Sequence, residues 1–446
     1  MTTGFNAALQ ERVGAMLSAC TRCGDCVNAC PVATPAGVTA KPDDVIGGVI
    51  DILRGESGNA SAKSWATSCA MSGDCVRACN YGVNPRFLLA VARAKIAQVA
   101  HPPADLRKRG VAAFRTVSRD VTHLARMQLD NALLERLGQV AEGHATLGTG
   151  AAPSERPDFV FYTGCNVLKT PHIALLALDI MDSLGVTYQV MGGPTHCCGV
   201  MRLRAGDTVT YGRVAEATID KLAQSKSGRV LSWCPSCYVQ IAEISMPEIE
   251  RMKGTRPFEM TPFILYLREQ LGRLRPMFSQ KVEMRVALHR HPGLTGSMDA
   301  AAEILAAVPG IELVELGLPS AGLMSNYLST VPSYKRELYH NELDAAEAAR
   351  VDALVTVYHP DHRELCAHEG EYNFRVLNLL DIVGASMGLH HSDEYKRLKL
   401  LQDVDAIAED CTDLAKEHSL DPTTLREVIV DMLLDQPVPI SKRISI

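Results

Sequence analysis

Seven of the chain's 14 cysteines fall between residues 20 and 79, five more between 165 and 237, and only Cys366 and Cys411 stand apart. Residues 20 to 31 read Cys-Thr-Arg-Cys-Gly-Asp-Cys-Val-Asn-Ala-Cys-Pro. In such a Cys-x2-Cys-x2-Cys-x3-Cys-Pro run the first three thiolates can hold three corners of a 4Fe-4S cluster. Structural zinc would use only four of these ligands and has no need of a second matching run. That second run exists: Cys69, Ser72, Cys75 and Cys79 share the frame Gly-Asp-Cys-x-x-Ala-Cys with the first. Where two such runs occur together, the fourth cysteine of each ligates the other's cluster. One site is therefore Cys20, Cys23, Cys26 and Cys79, and the other Cys30, Cys69 and Cys75. Ser72 leaves the second a thiolate short, since a hydroxyl must lose its proton from a far less acidic group. A 3Fe-4S cluster is expected there, with a 4Fe-4S cluster bearing an oxygen ligand, or no cluster, as alternatives. Asp74 is matched by Asp25 in the complete run, so it reads as a loop-shaping residue; Asn80 in place of Pro31 is a second departure.

In the second group, 31 residues separate Cys165 from Cys197, and 35 separate Cys198 from Cys234 in a Trp-Cys-Pro-Ser-Cys segment ending at Cys237. Five thiols are too many for zinc. His196, just before the pair, could donate a proton to a leaving thiolate or hydrogen-bond to a cluster sulfur.

The elements that must position these residues follow from periodicity. Residues 1–100 read as a helical unit carrying the two runs, and 101–157 as a helical connector broken at His101-Pro102-Pro103 and closed by a Gly, Ala, Ser and Pro-rich linker over 143–157. From 158 to 275, short β-rich runs alternate with helical ones, which predicts βαβ units and a parallel sheet with the five cysteines at strand ends along one edge. The same order returns over 276–390, so the α/β unit is duplicated. In this second copy the cysteines are gone. Aligning the repeats places Tyr-His-Pro-Asp-His (358–362) on Trp-Cys-Pro-Ser-Cys, so His359 and His362 replace Cys234 and Cys237, and His291 falls near Cys165. Residues 319–325 stand at the Cys-Cys-Gly position with no ligand. A mononuclear zinc or iron site of His291, His359 and His362, completed by His289 or Asp361, competes with a decayed cluster site, which is favoured. Residues 391–446 read as a charged helical extension without chemistry, and Cys366 and Cys411 as thiols without a role.

Forty-five basic against 51 acidic residues give a net charge of −6, which supplies no basic field for nucleic acid. No apolar run approaches the ~18 residues of a membrane span, and the N-terminus lacks an export signal. A cytoplasmic protein is expected, membrane-associated if at all through a partner, with its cysteines as metal or redox groups.

Two cysteine runs separated by a helical insert resemble the α-helical ferredoxin module of HdrC, the C-type component of heterodisulfide reductase. The spacing of Cys165, Cys197, Cys198, Cys234 and Cys237 resembles the CCG domain of HdrB, its B-type component. Together they resemble a C/B fusion, the arrangement of HdrD and of DsrK-like proteins, over roughly residues 10 to 390. The resemblance implies an α-helical ferredoxin-like domain followed by a duplicated α/β CCG-type domain. It also implies a non-cubane 4Fe-4S cluster on the five cysteines, where a disulfide is reduced or thiols are oxidised, with Cys197, Cys198 and His196 closest to the chemistry. An ordinary 4Fe-4S cluster on four of the five, or a metal-free Cys197–Cys198 disulfide, remain alternatives. Disulfide cleavage takes two electrons while cubanes deliver one at a time, so the site must retain a half-reduced state. With no dinucleotide fingerprint, the chain needs a redox partner protein: a flavoprotein or a membrane quinone-linked subunit. The expected substrate is a thiol or disulfide, carried on a small protein or free. The alternative is an electron-transfer subunit of a flavoprotein dehydrogenase passing electrons toward quinone.

Overall fold

The computed structural model describes residues 4–139, 156–291, 293–318 and 325–435. Most of the expected linker and residues 319–324 of the repeat alignment lie outside them.

The N-terminal unit is helical, as its period-3.6 pattern requires. Helices Gly4–Ala19, Pro42–Arg54, Ala60–Ser68 and Pro85–Ala100 surround the two cysteine loops. Pro42–Arg54 shows why the ends fall where they do. Proline opens it, Asp43 and Asp44 occupy the positive end of its dipole, Arg54 the negative end, and Gly55 closes it at φ 97°. Its inner face, Val45, Ile46, Val49, Ile50 and Leu53, packs with Trp65, Phe87 and Leu88 in one core. The Pro102–Pro103 break separates Pro85–Ala100 from Pro103–Arg126, because a proline cannot supply the interior amide.

Two parallel sheets follow. β1 (Phe159–Gly164), β2 (Tyr188–Gly192), β3 (Arg229–Ser232) and β4 (Glu259–Pro262) run in the order β2-β1-β3-β4. β5 (Met284–Leu288), β6 (Ile311–Val314), β7 (Ala353–Thr356) and β8 (Arg375–Asn378) run in the order β6-β5-β7-β8. Every pairing is parallel and the two orders are the same, so the structure contains the α/β unit twice. The chain turns one way after β1 and β5 and the other way after β3 and β7, placing a topological switch point at the carboxyl ends of each central strand pair. Sites in open α/β sheets form at such points.

The two units are not identical. Two residues separate each strand from the helix that follows, Trp233 and Cys234 after β3 and Val357 and Tyr358 after β7. The helices start at Pro235 and at His359, so the proline stands one residue further along in the second unit, and His359 begins a helix where Cys234 precedes one.

Helices Glu394–Leu401, Val404–Asp410, Thr412–Glu417 and Pro422–Ile429 follow the second sheet. Lys399 is buried here at 2% exposure, with its ammonium 3.3 Å from the Leu433 carbonyl. Burial lowers its pKa from 10.5 to about 8. The charged form is therefore disfavoured in the fold. The unfolded chain binds the extra proton between pH 8 and 10.5, so stability rises through that window and the charge penalty is complete below pH 8. Lys399→Met is expected to remove this slope. Melting temperatures of the two proteins at one scan rate, compared from pH 7 to 10, should converge toward pH 10; parallel curves would contradict the assignment.

Candidate functional site

Two loops of nearly superimposable backbone carry the N-terminal cysteines. Arg22 and Met71 both take left-handed conformations, φ 61° and 60°, and Gly24 and Gly73 both take φ 84°. Each glycine opens a single helical turn, Asp25–Asn28 or Asp74–Arg77. Ser72 thus occupies in the second loop the place of Cys23 in the first, where its hydroxyl accepts the Asp74 amide at 3.4 Å.

The loops pair crosswise. The Cys26 thiol is pushed up to about 12, first by burial and then by Cys20, Cys23 and Cys79. These four cysteines line one small cavity beside Ile46 and Val83. Cys30 is raised to about 11 by burial, with Cys69 adding. Burial raises Cys75 as well, Cys69 and Cys30 adding while Arg86 opposes. One set therefore has four sulfurs, the other three sulfurs and a buried serine.

Arg86 fastens the three-sulfur set to the sheets. Its Nη1 donates to the carbonyls of Met71 and Gly293 at 2.9 and 3.0 Å, and its Nη2 meets both Glu243 carboxylate oxygens at 2.5 Å. Glu243 lies in the π-helical turn Val239–Ser245 that follows Cys237. Nearby, Arg12 is buried between Glu248, at 2.8 Å, and the Phe87 ring, 4.0 Å away.

The second cysteine group gathers at the first switch point. Cys165 follows β1, Cys197 and Cys198 follow β2, and Cys234 and Cys237 flank the start of the turn after β3. All five line one cavity of about 280 Å³. The Cys237 and Cys198 sulfurs are 3.7 Å apart. The Gly199 amide donates to the Cys197 sulfur at 3.3 Å and Asn166 reaches Cys165 at 3.5 Å. Thr218 holds the Cys197 carbonyl at 2.8 Å and Tyr162 the His196 carbonyl at 2.6 Å, fixing the Cys-Cys turn against the sheet. Gly164 has φ 70°, and a Cβ there would lie 3.1 Å from the Cys237 sulfur; only glycine brings β1 this close. Burial pushes the Cys165 thiol up to about 12. Among the described residues no carboxylate lines the cavity, and a buried set of five thiols fits soft iron–sulfur ligation.

Several expected site residues are placed differently. His196 does not line the cavity. Its Nδ1 lies 2.9 Å from the Gly192 carbonyl, because the turn after β2 folds the ring back on its own strand. The three histidines of the second sheet do not form one ligand set. His291 faces Asp361 at 3.8 Å, His359 reaches Cys234 across the boundary between the sheets, and His362 turns the other way to Asp393 at 2.6 Å. His291 follows β5, whereas His359 and His362 lie on the helix His359–Leu365, His359 at its first position beside the sheet boundary and His362 one turn on beside the C-terminal helices. The Cys-to-His alignment therefore holds in sequence but not as a metal site. His359 instead lines the cysteine cavity. Cys366 and Cys411 are buried, and burial pushes both thiols up to about 12, which makes them unreactive.

Three residues of this cavity carry no cysteine-like signal: Arg204, Arg363 and Tyr327. The Arg204 guanidinium lies 4.5 Å over the Tyr327 ring. The phenol is pushed up to about 12, first by burial, with Cys198 and Cys69 both adding. Tyr327 thus lines the cysteine cavity, and Thr330, three residues on, donates to the Ser68 carbonyl beside Cys69 at 3.0 Å.

Two family profiles match the chain, a 4Fe-4S dicluster domain over residues 16–83 and a cysteine-rich domain, CCG, over residues 159–242. The chain is an iron–sulfur protein with a CCG domain, like the D-type component of heterodisulfide reductase. The CCG match covers β1 to β3 of the first sheet. The D-type component of the dihydromethanophenazine:CoB–CoM heterodisulfide reductase of Methanosarcina mazei is 23% identical over 333 residues, 67% of this chain and 75% of that protein. Its counterpart in Methanosarcina acetivorans is 21% identical over 330 residues, covering 67% and 75%. The B-type component of the fumarate reductase (CoM/CoB) of Methanothermobacter marburgensis is 22% identical over 384 residues, 82% of this chain and 72% of that protein. No solved structure matches. Among the described residues no helix is long and apolar enough to cross a membrane.

Proposed function

We propose that the CCG-type chain is a heterodisulfide reductase-like subunit, an oxidoreductase that carries electrons from its N-terminal clusters to the five-cysteine chamber, where a disulfide is reduced or, in reverse, thiols are oxidised. The observation that carries this reading is the convergence of Cys165, Cys197, Cys198, Cys234 and Cys237 on one cavity. When bound there, a non-cubane 4Fe-4S cluster would supply one-electron redox chemistry beside the substrate sulfurs. Cys20, Cys23, Cys26 and Cys79 would hold a 4Fe-4S cluster, and Cys30, Cys69 and Cys75 a 3Fe-4S cluster. The reaction balances as RS–SR′ plus two electrons and two protons giving RSH and R′SH. The division into a helical unit to residue 100, a connector to 157, sheet units to 275 and 390 and a helical extension forms part of the proposal. So do a cytoplasmic location and a flavoprotein or quinone-linked partner subunit. The match to a fumarate reductase component favours, as a second reading, electron transfer between this chain and a flavoprotein partner.

What the chain itself does at the chamber is bind and orient. Arg204 and Arg363 contribute positive charge, with no carboxylate among the described residues of the lining, so an anionic disulfide is preferred over a neutral one. His359 touches the Cys234 sulfur and steadies it. His196, held to Gly192, is left with a structural role in the turn. Arg363→Gln is expected to raise KM for a dianionic disulfide about tenfold, equivalent to ~1.4 kcal/mol, and to leave KM for a neutral disulfide within about twofold. Equal changes for both would remove Arg363 from the chamber's binding role.

A further inference from the structure

We propose that His172, His362 and Asp393 form a structural zinc site that joins the first sheet unit, the second sheet unit and the C-terminal helices. The proposal does not depend on the redox reading above.

His172 lies in helix Pro171–Ser183 behind β1, His362 in helix His359–Leu365 behind β7, and Asp393 caps helix Glu394–Leu401. Their ligand atoms all fall within 4.8 Å of one another. The His362 Nε2 is 2.6 Å from one Asp393 oxygen, and the His172 Nδ1 is 3.4 Å from the other. Bonds of 2.0–2.1 Å in a tetrahedron place neighbouring ligand atoms ~3.3 Å apart, so small shifts of these side chains suffice. The two rings meet edge to face with centroids 5.5 Å apart.

Two further observations point to a cation. His172 is 2% exposed, yet neither of its ring nitrogens makes a hydrogen bond, which is costly for a buried polar group unless a ligand satisfies it. The His362 nitrogen facing away from the centre, Nδ1, is 3.3 Å from the Thr356 hydroxyl, an outer oxygen partner of the kind that holds metal-binding imidazoles, while the Asp381 carboxylate stands 3.8 Å from His172 Nε2. The charge also fits. Asp381 and Asp393 face the imidazoles, while the neighbouring Lys396 is taken by Glu369 at 2.9 Å, so a dication balances the two carboxylates. Two imidazoles and one carboxylate make a borderline nitrogen–oxygen set that suits zinc, with water as fourth ligand. None of the three residues lines the cysteine cavity. The C-terminal helices, featureless in sequence, thereby acquire a chemical role.

The test uses the full chain purified anaerobically after growth with zinc, and measures zinc, iron and sulfide together with zinc-edge X-ray absorption. The wild type should hold about one zinc per chain, with nitrogen and oxygen neighbours near 2.0 Å and no sulfur shell. Asp393→Asn keeps the helix cap and should lose that zinc with iron and sulfide unchanged; His172→Gln should do the same. Wild type without zinc, zinc with sulfur ligands at ~2.3 Å, or undiminished zinc in Asp393→Asn would each overturn the proposal.

Discussion

Replacing Cys198 by serine is expected to lower disulfide reduction from an artificial electron donor by at least about 1000-fold, while the N-terminal cluster signals remain. Cys198 is 3% exposed and packs 3.7 Å from the Cys237 sulfur, with Cys165 and Cys234 around the same cavity. A serine oxygen there is a shorter and much less acidic donor, so one of the five soft ligands is lost at the centre of the set. The N-terminal ligands belong to helical loops elsewhere in the chain, whose backbone turns are set by Gly24 and Gly73. Electron paramagnetic resonance and steady-state rates on one preparation check both halves. Near-normal turnover of the variant would make the chamber a relay at most and bring forward the flavoprotein-partner reading.

The Ser72→Cys variant has the second large expected effect. Met71 and Arg22 share a left-handed turn, as do Gly73 and Gly24, so a thiol at 72 enters the geometry that Cys23 has in the first loop. Ser72 is already buried, and exchanging oxygen for sulfur needs little new room. The second cluster should gain about one iron and become a 4Fe-4S cubane of lower potential. Arg86, which faces Cys75, is retained, so the change in potential reports the ligand alone. Metal analysis and a redox titration followed by paramagnetic resonance check this. Two ordinary reduced 4Fe-4S signals from the N-terminal unit of the wild type, without an oxidised 3Fe-4S signal, would contradict it.

The cysteine spacing and strand–helix alternation were legible because both are local patterns. The run around Cys20 and its echo around Cys69 fold as matching loops, and the strands from Phe159 and Met284 fall where the apolar runs are. The outer strands β4 and β8 escaped notice. β4 ends in Pro262, which an edge position tolerates but which reads as a break, and β8 runs directly into the helix Leu379–Met387, so its apolar residues merge with the helical pattern. The histidines of the second sheet were legible as residues replacing cysteines, not as geometry, because their partners, Asp361, Cys234 and Asp393, come from three different segments. Arg204, Arg363, Tyr327 and Asp393 gave no signal. Each matters through contacts with distant segments, and no spacing rule marks an arginine that lines a cavity or an aspartate that caps a helix beside two buried imidazoles.

The central claim is that electrons held by the N-terminal clusters leave through the five-cysteine chamber to a disulfide. The most direct test is to reduce the anaerobic protein, remove the reductant, and mix it with an anionic disulfide or with a soluble quinone while following cluster absorbance and free thiol. Reoxidation by the disulfide is expected, with two thiols released for every two electrons lost, and no such reaction in Cys198→Ser. Clusters that stay reduced in the presence of disulfide but reoxidise rapidly with the quinone would contradict it.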